Sequence, residues 1–342
     1  MSGLLVVEPT GHERHDPGAG HPERPGRVAA ARDGIELALA GAGQVRFMAG
    51  RPATLEDVAL VHDRAYLDGL MAVARAGGGE LDPDTPMGPA SWSVAMDSAG
   101  LGLVALDELG AGTASAAFVL PRPPGHHASA TMGMGFCLLN NVAVTAARLR
   151  ARGERVLVVD WDVHHGNGTQ AIFWDDPDVM FCSLHQSPAY PGSGRADDVG
   201  GISAPGGIVN VPLPAGATGD VLLAAVEHVI APAADRFSPD WLLISAGFDA
   251  HRDDPLAELC LTAGDFGLLA ERVAELAPGP ARTIAFLEGG YHPDALARSV
   301  GAVAAALVGA RHHPEAPTVG GPGRDWVDDC VRRRMHALEL AW

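Results

Sequence analysis

Short apolar runs rich in β-branched residues recur along the chain, at residues 4–7, 117–120, 156–160, 179–185, 208–213, 241–246 and 283–288, each bounded by turn formers. Runs of this length that are apolar throughout predict strands buried on both faces. Between them lie Ala- and Leu-rich segments with helical periodicity, at residues 141–152, 221–236, 262–277 and 293–307. Strand alternating with helix predicts an α/β fold: a single three-layer domain with a mostly parallel central sheet flanked by helices. No repeat or linker divides the chain, so one domain is expected over residues 1–342. Ligands gather beyond the carboxyl ends of such strands. Five polar clusters follow the apolar runs there: PRPPGHH (121–127), DWDVHHGNG (160–168), SLH (183–185), GFDAH (247–251) and EGGY (288–291).

Composition narrows the function classes. A hydrophobic fraction of 47% and a charged fraction of 19% exclude a disordered or fibrous chain. A formal net charge of −18 argues against a nucleic-acid surface and suits cationic substrates. The chain contains no lysine, so its only amine is the N-terminus. Four well-separated cysteines form no Cys-x-x-Cys pair, and the first residues lack a secretory pattern. We therefore expect a cytoplasmic protein with no membrane span. Gly77-Gly78-Gly79 lacks the flanking strand and helix of a phosphate loop and reads as flexible loop. Residues 324–342 are expected to form a helix that packs within the chain, with a contact in a homo-oligomer as the alternative.

Asp162 and His164 stand two apart at a strand end, a spacing that points both side chains the same way. With Asp249 from another strand end they make two carboxylates and one imidazole, the donor set of a catalytic zinc with an open position. Taken singly, each residue fits a helix cap or a satisfied core polar group; the convergence on one rim favours a metal. Hydrolysis is the natural chemistry of such a centre. His126 and His127, presented by a stiff proline-rich segment, are candidates for proton transfer, and Asp160 and Asn167 are candidate partners that would set their basicity and tautomer. Tyr291, after two glycines, can offer a phenol to a developing oxyanion. Phe136 and Tyr190 are candidate aromatic walls of a channel.

The stretches HPERPGR (21–27), PRPPGHHA (121–128), GFCLLNNVA (135–143), VVDWDVHHGNGT (158–169), SLHQ (183–186), YPGSG (190–194), SAGFDAHRDDPL (245–256) and EGGYHP (288–293) resemble, in order, the zinc-dependent histone deacetylase and acetylpolyamine amidohydrolase family, especially class II and the bacterial deacetylase-like amidohydrolases. The resemblance implies the α/β fold shared with arginases, one zinc per chain on Asp162, His164 and Asp249, and catalysis by His126, His127 and Tyr291. Asp160 matches the partner of the first histidine, and Asn167 stands behind the second, as in class II members. Gly135, Phe136, Tyr190 and Leu256 match substrate-contacting positions, the last an acidic gatekeeper in a class IIb polyamine deacetylase. Asp160, Asp162, His164, Ser183 and Leu184 match a potassium site, and Arg27 matches an arginine of the acetate exit channel.

By that resemblance the reaction is attack of a metal-activated water on an N-acyl amide such as acetyl-lysine, in a peptide, a protein or a related amine. An acetylpolyamine substrate is the alternative within the family. An arginase-like binuclear manganese hydrolase and an inactive acyl-lysine-binding scaffold lie further off. From the acidic charge balance and the shortness of the apolar runs, no nucleic-acid or membrane partner is expected.

Overall fold

The computed structural model describes residues 3–41 and 44–340. Its strands are β1 (Gly3–Glu8), β2 (Gln44–Ala49), β3 (Gly79–Glu80), β4 (Pro86–Met87), β5 (Ala116–Val119), β6 (Val156–Asp160), β7 (Val179–Gln186), β8 (Ile208–Leu213), β9 (Trp241–Ala246) and β10 (Thr283–Leu287). Eight of them form one sheet in the order β2-β1-β5-β10-β9-β6-β7-β8. Every neighbouring pair in it is parallel. All carboxyl ends therefore open on the same edge.

Alternation along each strand feeds two cores. Leu4, Val6, Phe118, Leu157, Val159 and Leu242 face helices Gly26–Leu39, Ala263–Ala274 and Pro293–Leu307. Leu5, Val7, Ala117, Val156, Val158 and Leu243 face helices Arg64–Arg75, Ser91–Gly110 and Asn141–Arg150. Both faces being buried explains why the strands read as unbroken apolar runs.

The seven expected strands are present within one residue of their predicted ends, and β2 is an addition. Its sequence QVRFMA interrupts the apolar run with Arg46, whose guanidinium reaches Glu108 at 2.6 Å on the surface. An edge strand wet on one side lacks the continuous apolar signature. The helix expected at residues 221–236 is built as Gly219–Ala225, a π-helical turn at Val226–Ile230, and Ala231–Phe237. Pro232 has no N–H to continue the ladder, and the π turn absorbs the break. The triple-glycine segment is also more ordered than expected: Gly79 and Glu80 pair antiparallel with Pro86 and Met87. Helix Arg324–Leu340 packs within the chain through Val327, Cys330 and Arg334. No helix of the described residues is long and apolar enough to cross a membrane.

The loop between β5 and helix Asn141–Arg150 carries the histidine pair and is braced from below by His62. Its Nδ1–H donates to the Ser129 carbonyl at 2.9 Å, and its Nε2 accepts the Asn140 N–H at 2.9 Å. Both nitrogens are committed in the neutral form, and burial lowers the pKa to about 4 from 6.5. Because the unfolded chain then binds the extra proton, stability is complete above about pH 6.5 and falls as pH drops towards 4. The linkage amounts to about 3 kcal/mol. Urea midpoints across this range should fall more steeply for wild type than for His62→Gln; equal slopes would contradict the brace.

Candidate active site

The loops after β5, β6, β9 and β10 meet over one cavity of about 220 Å³, lined by Asp84, Pro124, His126, His127, Gly135, Phe136, His164, Tyr190, Leu256, Gly289 and Tyr291. At its floor, His164 Nδ1 lies 3.2 Å from Asp162 Oδ1 and 3.1 Å from Asp249 Oδ2. One donor atom from each of the three lies within 4.8 Å of the others. The backbone fixes the remaining carboxylate lone pairs: Val163 N–H donates to Asp249 Oδ1 at 3.0 Å, and Gly289 N–H to Asp162 Oδ2 at 2.7 Å. Gly289 must be glycine here, since a Cβ would stand 2.1 Å from Asp249 Oδ2 and 2.6 Å from Asp162 Oδ2.

The trio's electrostatics ask for a cation. Burial and the neighbouring Asp162 raise the Asp249 carboxyl to about 7. Burial opposes protonation of His164, but hydrogen bonds to Asp162 and Asp249 outweigh it and raise the imidazole to about 10. Burial penalises the charge on the two carboxylates, and a divalent metal would offset it while accepting the same three donors. Two oxygens and one nitrogen suit zinc, with a coordination position left for a reactant.

A second group, His251, Asp253 and Glu315, also brings three donor atoms within 4.8 Å. It is already neutralised: Arg298 lies 3.4 Å from Asp253 and 3.6 Å from Glu315, and Arg252 lies 3.6 Å from Glu315. It is an ion-pair cluster joining the loop after β9 to residue 315.

The histidine pair stands on the cavity wall with its rings 4.0 Å apart. His126 Nδ1 meets Asp160 Oδ2 at 3.0 Å, and His127 Nδ1–H donates to Asn167 Oδ1 at 2.7 Å. The two environments diverge. Burial lowers His127 well below the ordinary value, and His126 and His164 push it the same way. Burial acts on His126 too, but Asp162, Asp160 and Glu288 overcome it and raise that imidazole to about 10.

Opposite them, the Tyr291 ring meets Phe136 edge-on at 5.7 Å, with the Arg27 guanidinium 4.8 Å from its centroid. Burial raises its phenol well above the usual value, so the hydroxyl remains a donor at neutral pH. Arg27 is buried and donates to the carbonyls of Gly290, at 2.7 Å, and Glu288. Phe136 adopts φ 69°, a left-handed conformation rare for an aromatic residue, and this turn places its ring on the wall. Tyr190 and Leu256, 39% and 40% exposed, form the mouth. On the far side of the His164 loop, Asp160 and Ser183 stand opposite each other in the β6–β7 register, with Leu184 next along β7. The Ser183 hydroxyl there pairs with His185 Nδ1 at 3.0 Å.

Two acidic residues matter that motif reading left without a role. Glu288, fully buried, accepts the N–H of Gly125 at 2.7 Å and of His126 at 3.2 Å, and the Ser245 hydroxyl at 3.2 Å. It ties the histidine loop to the ends of β9 and β10. Its signal was present: an acid directly abutting an apolar run. Asp84 lines the mouth from the β3–β4 turn, where Thr85 holds it by accepting Phe136 N–H at 3.0 Å and donating to the Asp84 carboxylate at 2.9 Å. Residues 81–89 resemble entrance segments of bacterial family members, but that resemblance gave Asp84 itself no role.

The family model of the histone deacetylase domain matches residues 21–307. The chain belongs to the histone deacetylase family. Its sequence is 41% identical over 278 residues to a histone deacetylase-like amidohydrolase of Pseudomonas aeruginosa, covering 80% of this chain and 73% of that one. It is 38% identical over 322 residues to a probable deacetylase of Methanothermobacter thermautotrophicus, covering 93% and 95%. The crystal structure of the HDA15 HD domain superposes with a TM-score of 0.88 at 34% identity, covering 99% of both chains. Deacetylase-type hydrolysis and the histone deacetylase fold follow from this membership.

Proposed function

We propose that this deacetylase hydrolyses the N-acyl amide of a linear alkylamine, acetyl-lysine in a peptide or protein being the leading substrate. The observation that carries the proposal is the 220 Å³ cavity, whose wall holds two histidines and Tyr291 above the Asp162–His164–Asp249 trio. Phe136 and Tyr190 give a slim alkyl chain apolar walls, and Leu256 at the mouth adds no charge against it.

Zinc held by Asp162, His164 and Asp249 would supply the Lewis acid that polarises a carbonyl and makes water acidic enough to react near neutral pH. The protein groups divide the proton work. His127 is held neutral, with Nδ1 committed to Asn167, and is the base that accepts a proton from the attacking water. His126, hydrogen-bonded through Nδ1 to Asp160, is the acid for the departing amine. The Tyr291 hydroxyl donates to the amide oxygen as negative charge develops there, and Arg27 steadies its ring. Asp84 at the mouth can accept an N–H from the substrate's peptide or amine. We assign a potassium ion to Asp160, Asp162, His164, Ser183 and Leu184, a reading supported by the adjacency of Asp160 and Ser183 across β6 and β7.

An acylated polyamine is the second reading, favoured by the −18 charge and by Asp84 at the mouth. A matched panel of acetyl-lysine peptides, longer acyl-lysines and N-acetylated putrescine, cadaverine and spermidine decides between them. Zinc-loaded protein should cleave acetyl-lysine peptides with the highest kcat/KM, and a chelator should abolish turnover. Preference for the polyamines would reassign the substrate. Zinc binding without turnover of any member would indicate a scaffold, and two manganese ions per chain would indicate arginase-like chemistry.

A further inference from the structure

Of the two adjacent acids in the loop after β9, Asp253 faces solvent and pairs with Arg298. Asp254 turns inward and is only 7% exposed. Its Oδ2 accepts the backbone N–H of Tyr291 at 2.6 Å and of His292 at 3.3 Å, and its Oδ1 accepts the N–H of Leu256 at 3.1 Å. One carboxylate thus joins the segment bearing the phenol to the residue at the cavity mouth.

The Tyr291 segment needs this. It follows Gly289 and Gly290, the latter at φ 115°, and precedes helix Pro293–Leu307, so its amides have no helical acceptor. Arg27 grips the carbonyl side, donating to Gly290 and Glu288. Asp254 grips the amide side. Two glycines would otherwise leave the position of the phenol to the cavity contents, and misplacing a catalytic group by about 1 Å costs on the order of 10²-fold in rate.

We propose that Asp254 is a positioning residue that clamps the Tyr291 and Leu256 backbones into one frame, so that the cavity mouth and the carbonyl-polarising hydroxyl keep a fixed separation. The proposal rests on the reading of Tyr291 as that donor, but the clamp itself is observable without catalysis. Asparagine at this position retains the size but has one acceptor oxygen and no charge: with the oxygen towards Tyr291 and His292 its NH₂ faces the Leu256 N–H, and turned the other way it loses both of the former, so either orientation breaks one side of the clamp and removes the charge assistance.

The chain has 3 tyrosines, so protein labelled with ¹⁵N-tyrosine gives one backbone amide signal each for Tyr66, Tyr190 and Tyr291, the last identified by its loss in Tyr291→Phe. In wild type the Tyr291 amide proton should lie downfield, as charge-assisted donation to a carboxylate requires. In Asp254→Asn it should move upfield while those of Tyr66 and Tyr190 stay. With an acetyl-lysine peptide, Asp254→Asn should lower kcat by roughly 10- to 100-fold with KM nearly constant. In the Tyr291→Phe background the same change should cost less than about threefold, because residues acting through one another are not additive.

An equal loss in both backgrounds, or an unchanged kcat in Asp254→Asn, would overturn the positioning role. A wild-type Tyr291 amide without downfield displacement would overturn the clamp even if the variant does not fold. Inactivity towards every acyl amide would refute the proposed reaction, and the position of the Tyr291 amide signal would then decide by itself whether the clamp exists.

Discussion

Replacing Asp249 with asparagine is expected to strip the centre of zinc and, with it, of activity. The carboxylate is buried, with Oδ1 anchored by the Val163 N–H and Oδ2 facing His164. Asparagine keeps the shape and removes the charge from one of three donors. Since loss of even an outer partner of a metal ligand weakens binding by about 10- to 100-fold, loss of a direct donor should exceed that range. Without metal, burial and Asp162 raise the Asp249 carboxyl while its hydrogen bond to His164 raises the imidazole, so the two titrate as a pair. Asp249→Asn should gain no stability from added zinc. Wild type should gain about 4 kcal/mol when free zinc is 1,000 times its Kd. Thermal melts with and without zinc, together with metal analysis, test both halves; full occupancy and a wild-type zinc response in the variant would remove Asp249 from the ligand set.

Tyr291→Phe is the second large effect. The ring's contacts with Phe136 and Arg27 survive the substitution, and only the hydroxyl is lost. A donor aimed at developing charge contributes far more in the transition state than in the ground state. We expect kcat to fall by about 10²- to 10³-fold, the scale for one oxyanion donor. Zinc content and KM should change little. Turnover equal to wild type would exclude the phenol from the reaction.

These two residues were accessible from the sequence for different reasons. Asp162, His164 and Asp249 stand at the ends of apolar runs, and in a parallel sheet all such ends share an edge, so their meeting followed from pattern alone. Tyr291 was marked by the glycines before it, but the contact of its ring with the Arg27 guanidinium, 264 positions away in the chain, was not. Glu288 and Asp254 were visible only as acids within motifs. Their roles consist in accepting particular backbone N–H groups from other loops, and a backbone amide carries no sequence label.

The residues alone thus set the fold class, the rim on which polar clusters gather and the candidate donor trio, because burial on both sheet faces and ligand chemistry each leave a local compositional mark. Strand order, the wet edge strand β2, the left-handed turn at Phe136, the differing surroundings of the two histidines, and the carboxylate of Asp254 against the Tyr291 and Leu256 amides arise only in the folded chain. Each depends on which distant groups come within a few ångströms, where Coulomb and hydrogen-bond energies become large. Those separations are a property of packing.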